Sequence, residues 1–202
     1  MFTGIIETLA KLEKVEKENS NLMFTFSCTL ASELKVDQSV AHNGVCLTVT
    51  SVNENFYTVT VIDETLKRSN LGLLKPGEEV NIERCMPANG RFDGHIVQGH
   101  VDTTAECRQI KNLNGSWEFE FFHELNPDFV TVKKGSVTVN GVSLTVVNSG
   151  FHFFTVHIIP YTFAHTTFKN LGVGDRVNIE FDIIGKYLRK MNEFKATYLS
   201  EE

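Results

Sequence analysis

The sequence predicts an all-β chain built from two copies of one unit and closed by a C-terminal helix. Three observations predict it. The stretch Ser39–Thr50 (SVAHNGVCLTVT) returns as Ser136–Val147 (SVTVNGVSLTVV), with eight of twelve positions identical at a constant offset of 97. Short runs rich in β-branched and aromatic residues recur at regular spacing between turn residues, the pattern of a sandwich or small barrel. In the tail the apolar spacing changes to three and four, which is helical.

Each element has a partner in the other copy. Phe2–Thr8 opens the first unit and Val97–Thr103 the second, at an offset of 95, so a small indel separates this segment from the repeated hairpin. Leu22–Cys28 reads as the next strand and matches Trp117–Phe121. The hairpin follows. Asn43-Gly44 and Asn140-Gly141 suit a tight two-residue turn, because Asn and Gly tolerate positive φ at both central positions. Beyond the turn, Val45, Leu47 and Val49 alternate with Cys46, Thr48 and Thr50. Alternation sends the aliphatic set to a core and leaves Cys46 and Thr48 on the opposite, more polar face. Val142, Leu144 and Val146 alternate with Ser143 and Thr145 in the same way. The bland reading of such a face is a solvated strand surface; its recurrence in both copies favours a duplicated binding surface.

Tyr57–Ile62 and Phe154–Ile159 form the next pair of strands. Glu64-Thr65-Leu66 and Tyr161-Thr162-Phe163 read as short helical turns. Gly77–Glu83 and Gly174–Glu180 are the closing strands, and residues 85–93 are the linker. In the tail, Ile184, Leu188, Met191, Phe194 and Tyr198 make an apolar stripe flanked by Lys186, Arg189, Lys190 and Glu193. A terminal helix with such a stripe covers something, either its own barrel or a partner subunit. The predicted units are 1–95, 96–183 and the tail 184–202.

Composition bounds the class. The chain has 202 residues, 42% of them hydrophobic, and a net charge of −6. That balance, without a Lys/Arg cluster, argues against nucleic-acid binding or a membrane surface. No stretch is long enough to span a bilayer and the start lacks a basic secretory signal, so a cytoplasmic protein is expected. The four cysteines show no C-x-x-C spacing and read as free thiols.

Two side chains stand out for chemistry, and both differ between the copies. Cys46 is an intrinsic nucleophile whose counterpart is Ser143. His100 can move protons near neutral pH, and its counterpart is Ile5. The competing readings are an inert cysteine and a hydrogen-bonded structural histidine. His95 and His100 fall on opposite faces of a strand, which argues against a metal pair. Lys134 could present an ammonium to an anion or carbonyl, or simply occupy a solvated turn.

Four spaced motifs then carry a resemblance over the whole length: Met1–Glu7 (MFTGIIE), His42–Thr50 (HNGVCLTVT), Gly94–Asp102 (GHIVQGHVD) and Asn140–Val146 (NGVSLTV). Together they closely resemble the riboflavin synthase family, alpha chain. The resemblance implies two six-stranded Greek-key barrels and a C-terminal helix that assembles a homotrimer. It implies a dismutation of two 6,7-dimethyl-8-ribityllumazine molecules by transfer of a four-carbon unit, without metal or cofactor. The products are riboflavin and 5-amino-6-(ribitylamino)uracil. Two lumazines meet at each active site, between the first barrel of one subunit and the second barrel of a neighbour.

Carried over by position, the resemblance places Gly4, Ile5, Ile6, Cys46, Leu47, Thr48, Thr60, Val61, Ile62, Asp63, Glu64 and Thr65 in the first lumazine site. It places Gly99, His100, Val101, Lys134, Ser143, Leu144, Thr145, Pro160, Tyr161, Thr162, Phe163, Ala164 and His165 in the second. Cys46 or Ser39 would supply or position the nucleophile, and His100 would assist proton transfer. Thr145 and Asp182 are further matches in or near the site. The chain departs from the common pattern at Asn140, where many members carry Asp, at Gln98, a frequent Ser, and at Tyr161-Thr162-Phe163, commonly Glu-Thr-Leu. The same fold also hosts lumazine- and flavin-binding antenna proteins, which bind without catalysis, so fold alone does not decide between enzyme and carrier. A third reading is a duplicated interaction module with no ligand.

Overall fold

The computed structural model describes residues 1–200. The first barrel is made of β1 (Thr8–Glu18), β2 (Asn21–Ser27), β3 (Ser39–His42), β4 (Val45–Val52), β5 (Phe56–Val61) and β6 (Glu79–Arg84). All pairings are antiparallel and the sheet closes in the order β1-β2-β5-β4-β3-β6. The second barrel repeats it with β7 (Thr103–Asn112), β8 (Trp117–Phe122), β9 (Ser136–Val139), β10 (Val142–Ser149), β11 (Phe153–Ile158) and β12 (Arg176–Phe181). Closure removes the unpaired edges that an open sheet exposes. The duplication extends to irregularities. The ladder shifts between Leu12 and Lys14 in β1 and between Cys107 and Gln109 in β7. Such bulges bend a strand, as a narrow barrel requires.

Each core follows from alternation. Val45, Leu47 and Val49 turn inward with Phe24, Phe26 and Ile82. The second core is richer in aromatics, with Phe119, Phe121, Phe154, Phe168 and Phe181. His42 is fully buried in the first core, where Val139 stands in the second. Its Nε2 lies 2.9 Å from the Tyr57 hydroxyl and its Nδ1 3.1 Å from the Val40 carbonyl. Burial pushes its pKa down to about 3, so the ring is neutral near pH 7.

The hairpin turns have the predicted geometry, with φ of 46° at Asn43, 80° at Gly44, 45° at Asn140 and 82° at Gly141. The two tips meet. A Cβ on Gly44 would stand 2.8 Å from the Gly141 nitrogen, so neither position has room for a side chain. Four asparagines tie the barrels there. Asn81 donates from Nδ2 to the Asn140 carbonyl at 2.8 Å, and Asn178 donates to the Asn43 carbonyl at 2.9 Å. Asn43 Oδ1 and Asn140 Oδ1 accept the Asn81 and Asn178 amides, each at 2.8 Å. Asn140 is therefore a turn and interbarrel residue.

Two short helices follow the fifth strand of each barrel: α1 (Asp63–Arg68) and α2 (Pro160–His165). Proline opens α2, where its missing N–H costs nothing. The tail is α3 (Ile183–Ser200). Its polar side meets the second barrel through Lys186–Asp102 at 2.7 Å and Arg189–Asp128 at 3.6 Å. Its apolar stripe faces away: Ile184, Tyr187, Leu188, Met191, Phe194 and Tyr198 are all exposed. The helix does not cover its own barrel.

Candidate functional site

The segments leading into the two barrels are exchanged. Phe2 bridges Val97 in antiparallel fashion, so the segments run side by side. Beyond that bridge each crosses to the other barrel. Ser143 N–H donates to the Gly4 carbonyl at 2.8 Å, and Cys46 N–H donates to the Gly99 carbonyl at 2.9 Å. Ile6 packs on the second core and Val101 on the first. The approach is close enough to require glycine. A Cβ on Gly99 would fall 2.6 Å from Cys46 Cβ, and one on Gly4 would fall 2.6 Å from Ser143 Cβ.

Buried glutamates hold both segments. Glu83 of β6 accepts from Thr3 N–H at 2.7 Å, Thr3 Oγ1 at 2.8 Å and Gly4 N–H at 2.9 Å. Glu180 of β12 accepts from Gln98 N–H at 2.7 Å and from Gly99 and His100 N–H, each at 2.9 Å. Both side chains are almost wholly buried. Burial pushes Glu180 up to about pH 7 against the opposing pull of the Gln98 amide, the Lys186 ammonium and the His100 amide. For Glu83 the shift is also upward, again from burial.

The first face carries Cys46, half-buried, with Thr48 exposed beside it; Ser39 pairs with Thr48 in the ladder. Burial raises the Cys46 pKa, and the Ser39 side chain pulls it back. Cys46 is thus a thiol near neutral pH and needs a partner base to act as a thiolate. His100 is exposed and follows directly on Gly99, which sets it beside this face. It borders a cavity of about 590 Å³ shared with Arg68 of α1 and with Asp102, Lys186 and Arg189. Thr60 is half-buried and Ile62 exposed, leading into α1, whose Asp63 pairs with Lys67 and Glu64 with Arg68. Leu47 and Val61 point into the core and offer the face only their backbone.

The second face carries Ser143, with Thr145 exposed beside it and paired with Ser136 in the ladder. Leu144 is half-buried against the core. Lys134 sits exposed in a turn at φ 70° and donates its N–H to the Val146 carbonyl at 2.9 Å. Along α2, Phe163 stacks on Trp117 at 4.0 Å between ring centroids. Tyr161 stacks on His165 at 4.1 Å, where α1 carries the Glu64–Arg68 ion pair. Thr162 lies between Tyr161 and Phe163, and its carbonyl accepts from Thr166 Oγ1; Ala164 completes the turn.

One expectation changes. Gly4 and Ile6 were assigned to the site of Cys46 but lie against the barrel of Ser143; Gly99 and Val101 were assigned to the site of Ser143 but lie against the barrel of Cys46. The physical reason is the crossing of the two entry segments, which a repeat offset does not encode. Asp182 accepts the Ile184 N–H at 3.0 Å and so caps α3, and its charge also acts on His95 beside Ser143. His95, which strand alternation argues against as a metal partner of His100, lies on the second face. Its Nδ1 lies 2.7 Å from Ser143 Oγ and its Nε2 3.2 Å from Thr138 Oγ1. Burial lowers its pKa, so it is a neutral ring with one donor and one acceptor nitrogen. Among the described residues no cluster of His, Cys, Asp or Glu is arranged as a metal site.

A lumazine binding domain model matches residues 3–85 and again 98–182. Riboflavin synthase of Bacillus subtilis (strain 168) is 42% identical over 201 residues, covering 97% of this chain and 94% of its own. That of Actinobacillus pleuropneumoniae is 42% identical over 193 residues, covering 94% and 89%. The chain belongs to the riboflavin synthase family. Structural likeness agrees at the level of fold. LumP complexed with riboflavin superposes with a TM-score of 0.81 at 19% identity, covering 89% of this chain and 98% of that one. LumP complexed with 6,7-dimethyl-8-(1'-D-ribityl) lumazine gives 0.79 at 17%. Within the riboflavin synthase family frame, the two matched domains correspond to the two barrels, and the exchanged segments lie at their starts.

Proposed function

We propose that this chain is a riboflavin synthase. It converts two molecules of 6,7-dimethyl-8-ribityllumazine into riboflavin and 5-amino-6-(ribitylamino)uracil. The observation that carries the reading is the pair of like faces with unlike chemistry, set out as Cys46 with His100 on one and Ser143 with His95 and Ile5 on the other. A dismutation needs that combination. Both reactants are the same molecule, so two copies of one binding surface suit them. One gives four carbons and the other takes them, so the surroundings must differ.

The first face binds one lumazine between Cys46, Thr48, the Thr60–Thr65 stretch and the Gly99–Val101 segment. The second binds the other between Ser143, Thr145, Lys134, α2 and the Gly4–Ile6 segment. Holding both rings together turns a bimolecular encounter into an effectively unimolecular step. His100 takes the acidic proton of the C7 methyl of one lumazine and returns a proton later in the sequence. Cys46, with Ser39 beside it, supplies or positions the group that adds to the acceptor ring. The two products together contain the atoms of two lumazines, so the reaction consumes no oxidant, reductant or water and needs no cofactor.

Both faces lie on the outer walls of the barrels, so a neighbouring subunit must close each site. The exposed stripe of α3 supports a homotrimer built on that helix, since soluble proteins rarely leave a contiguous apolar row uncovered. In the trimer the first barrel of one subunit meets the second of the next. Four unpaired thiols fit a reducing, cytoplasmic compartment.

The test is product formation. The purified protein, supplied with the lumazine and a chelator, generates the absorbance and fluorescence of riboflavin. A lumazine that binds and stays unchanged would make the chain a carrier.

A further inference from the structure

We propose that Glu180 is a positioning residue that sets His100 and Cys46 relative to each other across the boundary between the barrels. The proposal rests on the reading above, in which those two side chains serve the first lumazine face. It starts from an asymmetry of ownership. Cys46 belongs to a strand of the first barrel, whereas the carboxylate that fixes its neighbour belongs to the last strand of the second.

The connection is short. Glu180 Oε2 accepts the N–H groups of Gly99 and His100, each at 2.9 Å, and Oε1 accepts Gln98 N–H at 2.7 Å. The Gly99 carbonyl, on the same segment, accepts Cys46 N–H at 2.9 Å. One buried side chain thereby fixes the backbone of His100 directly and that of Cys46 through a single residue. Three convergent N–H donors demand an acceptor with two oxygens, which only a carboxylate supplies. The far end of the segment is also tied, since Asp102 Oδ2 accepts Phe181 N–H at 2.9 Å and pairs with Lys186 of α3 at 2.7 Å.

Glu83 makes the twin arrangement on the other segment, holding Thr3 and Gly4 behind Ser143. Residues 3–6 carry no titratable side chain. The two clamps therefore have different consequences. Loosening Glu180 misplaces a proton-transfer group, and loosening Glu83 disturbs only a binding wall. A group displaced from its reacting partner is lost in kcat, and a displaced binding wall in KM.

The experiment compares wild type, Glu180→Gln and Glu83→Gln in lumazine turnover, riboflavin binding and melting temperature. Gln keeps the shape but replaces one acceptor oxygen by a donor. Glu180→Gln is expected to lose about tenfold or more in kcat, with KM and riboflavin affinity within about threefold. Glu83→Gln is expected to raise KM more than it lowers kcat. The proposal is overturned if Glu180→Gln keeps the wild-type kcat, or if kcat, affinity and melting temperature decline together while KM rises in both variants. Should Glu180→Gln fail to fold, hydrogen exchange on the wild type decides. Gly99, His100 and Cys46 amides exchanging as one protected unit sustains the clamp, and rapid exchange at Gly99 and His100 overturns it. An inactive wild type would remove the functional reading and this role with it. An active wild type with an unimpaired Glu180→Gln would remove only the role of Glu180.

Discussion

The amide of Cys46 donates to the carbonyl of Gly99 at 2.9 Å, which joins a strand of the first barrel to the segment that opens the second. Gly99 holds φ at 80°, and a Cβ there would meet Cys46 Cβ at 2.6 Å and the Phe2 ring at 2.9 Å. Gly99→Ala should therefore destabilise the chain by about 2 kcal/mol or more, from backbone strain plus a clash with Cys46 Cβ and the buried Phe2 ring. It should also lower turnover, because the segment must move away from Cys46. Thermal unfolding and steady-state kinetics on the variant check both. Unchanged stability would mean that the segment does not lie against β4.

Cys46→Ser separates a chemical role from a binding one. Cys46 lies half-buried with Ser39 nearby, and burial keeps it protonated. Serine keeps the size and a hydrogen-bonding group but is a poorer nucleophile. Turnover should decrease by about tenfold or more, with lumazine affinity nearly unchanged. Kinetics with a parallel binding titration reads the split, and equal losses in both would count against a chemical role.

Acid sensitivity should trace to buried histidine. The pKa of His42 is held down to about 3 in the fold, against about 6.5 when unfolded. The unfolded chain takes up a proton below pH 6.5 that the folded chain refuses. This contribution to stability is complete above pH 6.5 and is lost as pH falls toward 3, by up to about 1.4 kcal/mol per pH unit. His95 and His123, also lowered by burial, act in the same direction. Glu180, raised to about 7, acts oppositely, weakening the fold as pH rises from about 4.5 through 7. Urea unfolding across pH should show a shallower acid slope in His42→Asn than in wild type, at lower overall stability.

The tail helix should control assembly. Tyr187 and Phe194 are each 69% exposed, in line with Leu188 and Met191. Replacing Leu188 and Met191 by Lys should reduce the mass seen in light scattering from three chains to one. Turnover should fall with it, because each face then lacks the neighbour that closes it. A wild type already monodisperse at one chain would contradict the trimer.

Much of the fold was legible because it rests on alternation and turn chemistry. The Asn-Gly hairpins, the inward Val-Leu-Val sets, the short helices after Ile62 and Ile159 and the helical tail follow from local pattern. The strands Thr8–Glu18 and Thr103–Asn112 were not, because Lys and Glu break up their apolar positions, leaving Ala10, Leu12, Ala105 and Cys107 as the buried residues. What the sequence shows of the proposed site is the difference between the copies, at Cys46 and His100. It was not legible where it depends on crossing between barrels. An offset relates Gly4 to Gly99 without saying which barrel each meets. Glu83 and Glu180 sit in the repeated Asn-Ile-Glu of the closing strands, where Asn81, Ile82 and Glu83 are all buried and alternation gives no warning.

The most direct measurement is the stoichiometry of a single incubation with 6,7-dimethyl-8-ribityllumazine, followed by chromatography of all three species. The account predicts two lumazines consumed for each riboflavin and each 5-amino-6-(ribitylamino)uracil formed, with no added metal, nicotinamide or oxygen. Riboflavin formed one-for-one from lumazine, or lumazine bound and recovered intact, would contradict it.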